Sequence, residues 1–69
     1  MARYVAWKTV IDGTEKKHRS ENKTYDWLRQ WAADQADGAK VEVFVQEQYS
    51  QTWHVFERHV VRSGVLEEF

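Results

Sequence analysis

The chain contains no cysteine and no proline, and only three of its 69 residues are glycine. Without cysteine there can be no disulfide, no thiolate nucleophile and no Cys-ligated zinc or iron–sulfur centre. A domain of this size sits near the lower limit of what one apolar core can hold unaided. Good packing or burial against a partner must therefore supply what staples would otherwise give. No apolar run approaches the roughly 18–20 residues needed to span a bilayer. The start, Met1-Ala2-Arg3-Tyr4, lacks the apolar stretch of a signal peptide. The expectation is a single domain over residues 1–69, cytoplasmic, with no membrane partner. The net charge of −1 excludes a strongly basic, histone-like binder.

What the chain has in abundance is aromatic side chains: four Trp, three Tyr and three Phe. Each ring removes roughly 150–250 Å² from water when buried. Ten of them could provide most of a small core, or more apolar area than one small core can take up.

Residues 3–11, rich in β-branched and aromatic types, read as a strand. Asp12-Gly13 is a hairpin signal of type I′, whose two central residues need positive φ. The returning segment 14–19 has no apolar residue, so it reads as an edge strand or a loop, and its lysines would discourage edge-to-edge pairing. Thr24 is placed as an N-cap, and Tyr25, Leu28, Ala32 and Ala36 recur at helical spacing with Trp27 and Trp31 beside them. The spacing predicts a helix over 25–37, stopped by Gly38 in a left-handed conformation. Residues 39–49 alternate, with Val41, Val43 and Val45 on one side, and 52–61 read as the partner strand. Ser63-Gly64 ends that strand, leaving a half-apolar tail, 65–69. The fold class is α+β: a small antiparallel sheet of three to four strands with one helix on one face, in the order β-(β)-α-β-β.

One helix covers only one face of such a sheet. If Val41, Val43, Val45, Trp53 and Val55 face the helix, strict alternation sends Tyr4, Phe44, Phe56, His54 and Val60 to the other side. The set Tyr4, Phe44, Phe56 and Val60 is thus the candidate protein-binding face. A second copy of the chain, making a homodimer, or another protein could cover it. Arg58, Lys40, Gln46 and the tail could also fold over it within the monomer. Exposed patches of several hundred Å² are uncommon on monomers, which favours a partner.

Charge is unevenly spread. Residues 1–23 carry six basic and three acidic groups, while residues 24–69 carry four basic and eight acidic. The basic excess gathers at Lys16, Lys17, His18, Arg19 and Lys23. With exposed rings nearby, this hairpin supports an alternative function: a nucleic-acid-binding module using Lys16, Lys17, Arg19 and Lys23.

Catalysis has little footing. His54 and His59 have opposite parity on one strand, His18 lies elsewhere, and no paired-carboxylate or phosphate-cradling motif is present. Any of His54, Glu57 and His59 could still meet another residue in space. No enzyme activity, metal, cofactor or small-molecule substrate is expected. In size and make-up, through Tyr4-Val5-Ala6-Trp7, Asp12-Gly13 and the Tyr25–Ala36 segment, the chain resembles the small orphan proteins of bacteriophages. That resemblance implies a protein that binds and redirects a host protein.

Overall fold

A computed structural model describes residues 3–69. Among them, the order is β1 (Tyr4–Ile11), β2 (Thr14–His18), α1 (Glu21–Ala33), β3 (Lys40–Glu47), β4 (Trp53–Arg62) and β5 (Val65–Glu68). The strands form one antiparallel sheet in the spatial order β2-β1-β3-β4-β5. The α+β class stands, but the sheet has five strands rather than three to four, because 14–18 and the tail both pair.

The two additions share a device. Asp12 and Gly13 adopt φ of 50° and 80°, and Ser63 and Gly64 adopt 52° and 75°. Positive φ at both central positions matches the right-handed twist of the flanking strands, so each dipeptide makes a two-residue hairpin. Ser63-Gly64 therefore turns the chain back instead of ending the sheet. The half-apolar tail pairs Val65 with Arg62, Leu66 with Val61, Glu67 with Val60 and Glu68 with His59.

The helix starts and stops four residues earlier than the apolar spacing predicts. Ser20, in extended conformation, is the N-cap, and its side chain accepts from the Lys23 amide at 3.1 Å. Thr24 is fully buried, and its hydroxyl donates to the Ser20 carbonyl at 2.7 Å. Thr24, Leu28 and Ala32 form the buried stripe, one residue per turn. The helix ends at Asp34, so Ala36 is outside it. Gly38 does take a left-handed φ of 93°, but in the connection to β3, where its amide donates to the Val61 carbonyl at 2.9 Å. The Asp37 carboxylate accepts from the Ser63 amide at 2.8 Å, tying this connection to the last hairpin.

Under the helix, Val41, Val43, Val45 and Leu28 are at most 1% exposed, and Trp7 is buried with them. Two irregularities of register lie at the end of the sheet near the β3–β4 loop. Tyr4 pairs with Glu47 but Ala6 with Gln46, so Val5 is an extra residue in β1. Val43 pairs with Glu57 but Phe44 with Val55, so Phe56 is an extra residue in β4. A bulge of one residue inverts which face each residue beyond it occupies.

Candidate functional site

The bulges break up the face that alternation predicts. On β4 the expected parity holds from Glu57 to Val61 and is reversed before it. His54 stands opposite Val45 on the helix side, while Trp53 and Val55 stand opposite Gln46 and Phe44 on the other. Phe56 turns to the helix side, where its ring meets Trp7 edge-to-face at 5.0 Å between centroids. Tyr4 joins them, 5.6 Å from Phe56 and 5.8 Å from Trp7. Of the four residues grouped by sequence, Phe44 lies half-buried on the uncovered face, and Val60 points to that side but is itself buried. Tyr4 and Phe56 belong to an aromatic extension of the core. His54 and His59 also come to share a face, contrary to their sequence parity, although five residues apart on the strand.

Among the described residues, no element packs over the second face. Trp53, which alternation assigned to the core, takes the place of the two rings that leave it. Lys8 occupies the centre: its Nζ is 4.6 Å from the Trp53 ring centroid and 5.6 Å from that of Phe44, and 2.8 Å from Glu15 Oε1. The ammonium therefore caps both rings while pairing with a carboxylate. That partner holds the Glu15 carboxyl below its ordinary range. Arg58 Nε meets Glu42 Oε2 at 2.9 Å, and Lys40 Nζ lies 5.5 Å from the Phe69 ring. Val10, Lys40, Glu42, Arg58 and Phe69 line a concavity of about 400 Å³ on this face. Val55 and Phe69 remain exposed, at 41% and 60%. The tail does not fold over the rings, since 65–68 extend the sheet sideways.

The basic residues of the first hairpin do not converge. Lys16 stands opposite Thr9, on the helix side, its Nζ 5.7 Å from the Trp27 ring, whereas Lys17 stands opposite Lys8 on the uncovered side. Arg19 lies in the bend after β2, and Lys23 in the first turn of α1. Beside Lys16, Trp27 stacks on Trp31 at 6.4 Å, and the His18 ring sits 5.3 Å from Trp27. Burial, with help from the Lys16 charge, pushes the His18 imidazole below its ordinary value.

A second polar constellation was beyond the reach of linear spacing. Tyr25 from the helix donates its hydroxyl to Glu57 Oε1, and His59 Nε2 meets the same oxygen at 3.0 Å. Burial alone would raise the Glu57 carboxyl, but these two hydrogen bonds, together with the charge of His59 and a contact with Glu68, outweigh it and hold it below its ordinary value. Burial and then the adjoining carboxylate push the Tyr25 phenol well up. His59 is 7% exposed, and its Nδ1 is buried without a hydrogen-bond partner. Glu57 and His59 both lie in the regular stretch of β4 after the bulge, opposite Val43 and Val41 on the helix side. Among the described residues, no group of three or more His, Cys, Asp or Glu is placed to hold a metal ion. No helix there is long and apolar enough to cross a membrane.

Comparison with family models, curated proteins and solved structures finds no match to this chain.

Proposed function

We propose that the chain is a non-catalytic binding module acting through protein–protein interaction, with the uncovered face of its sheet as the working surface and a second copy as its partner. The observation that carries this reading is the pair of half-buried rings, Phe44 and Trp53, on a face with no covering element among the described residues. Val55, 41% exposed, extends the apolar centre. Around it, Lys8 with Glu15 and Arg58 with Glu42 present both signs of charge. Such a patch is self-complementary, as a two-fold interface requires, because a cation of one copy can face a carboxylate of the other. A module of this kind fits the likeness to small bacteriophage proteins that redirect host proteins. The lack of cysteine suits a reducing, cytoplasmic setting.

Val55→Glu tests the reading, because Val55 is already partly exposed and contributes little to the core. Light scattering at high salt should give twice the chain mass of 8.3 kDa for the unmodified protein and the single-chain mass for the variant. A single-chain mass for the unmodified protein across the micromolar range would defeat it.

The nucleic-acid alternative loses ground because alternation on β2 sends Lys16 and Lys17 to opposite faces. Retention on heparin that falls steeply with salt would restore it.

A further inference from the structure

The uneven charge of the sequence becomes a spatial polarity once the sheet order is known. The first hairpin and the last strand occupy opposite edges, β2 and β5. Each pairs on one side only among the described residues, so each presents unpaired backbone groups outward. The β2 edge carries Lys16 and Lys17 and continues to Arg19, whereas the β5 edge carries Glu67 and Glu68. Pairing of like edges would oppose lysine to lysine, or glutamate to glutamate. Only the unlike pair attracts.

Geometry supports the same match. Following the antiparallel pairings across the sheet, β2 and β5 run in the same direction, so a copy displaced sideways would pair in parallel. The two hairpins fix which amides point outward. Val65 and Glu67 pair inward with β4, as does the Phe69 amide, which donates to the Arg58 carbonyl at 3.0 Å, leaving Leu66 and Glu68 free. By the same rule Glu15 and Lys17 face outward from β2. Setting Lys17 level with Glu67 lets Lys17 bond to Leu66 and Glu68, the two residues whose groups are free. Lys17 and Glu67 then share the uncovered face, and His18 and Glu68 share the helix side. Glu15 falls beside Val65, so no like charges are opposed. We infer that the chain associates head to tail, β2 of one copy adding in parallel to β5 of the next. The contact is heterologous and leaves a free edge at each end, so it does not close at two chains.

Sedimentation velocity of the full chain over a concentration series tests this independently of the face-to-face dimer. At low salt, species larger than two chains should grow with concentration, and they should disappear at high salt, where edge charges are screened. K16E/K17E, with two acidic edges, should not grow alone, nor should E67K/E68K, with two basic edges. An equimolar mixture of the two should assemble. Lys17→Pro, which removes an outward amide, should stop growth whatever the salt, and Val55→Glu should not affect it. Circular dichroism identifies any variant that fails to fold. A low-salt limit of one or two chains would overturn the inference, as would growth of the charge variants alone equal to that of the unmodified protein.

Discussion

The two faces of the sheet are made from the same residue types and solve opposite problems. On the helix side, Val41, Val43 and Val45 meet Leu28 with almost no exposure. One aromatic cluster, Tyr4, Trp7 and Phe56, carries that core outward. On the other side, Phe44 and Trp53 have no layer above them among the described residues, and the Lys8 ammonium stands over both. Shape-matched burial stabilises the first face. The second is only partly desolvated, and beside its rings Lys8 pairs with Glu15 and Arg58 with Glu42. The lesson is that aromatic content alone does not mark a core. Which side of a bulge a ring falls on decides whether it stabilises the fold or remains available for binding.

The comparison breaks first at its buried member. Leu28 is fully buried beneath the helix, so Leu28→Ala should cost roughly 2–5 kcal/mol, a large part of a small domain's stability. An unchanged urea midpoint would show that the stripe Thr24, Leu28, Ala32 is not the core. Next comes a pair of substitutions one residue apart. Phe56→Glu puts a charge among Trp7 and Tyr4 and should lower the melting temperature strongly. Val55→Glu should change it little. Equal losses would mean that the bulge does not separate the faces.

The polar link between helix and sheet should give a smaller effect with a pH signature. Because the Glu57 carboxyl is held low in the folded chain, its contribution is present above its ordinary range and is lost as pH falls through the lowered value. Tyr25→Phe removes one of the hydrogen bonds responsible, and should cost about 1–2 kcal/mol near neutrality. The difference between the two proteins should shrink on acidification, as read by denaturant titrations at several pH values. A difference that is constant with pH would contradict this link.

Much of this organisation was legible in the residues. Alternation through Val41, Val43 and Val45, the Asp12-Gly13 turn and the Leu28 stripe each follow from local periodicity or a local backbone requirement. What was not legible depended on a single unpaired residue. Nothing in Trp53-His54-Val55-Phe56 announces a bulge, since its cause is the fit of Phe56 against Trp7 and Tyr4 from another strand. The same holds for Tyr25, Glu57 and His59, which lie up to 34 positions apart and meet only after the sheet forms. Two other features did have a local signal. Ser63-Gly64 between extended runs is a hairpin turn like Asp12-Gly13, and Ser20 was available as a cap ahead of Thr24.

The four tryptophans offer the most direct test of the uncovered face as a binding surface. Trp53 lies on it, whereas Trp7, Trp27 and Trp31 pack on the helix side. At high salt, where edge pairing is screened, indole N–H resonances should be followed by NMR on dilution from millimolar to micromolar concentration. The account predicts that the Trp53 signal shifts while the other three hold. A Trp53 signal that stays fixed at every concentration, or shifts confined to Trp27 and Trp31, would contradict it.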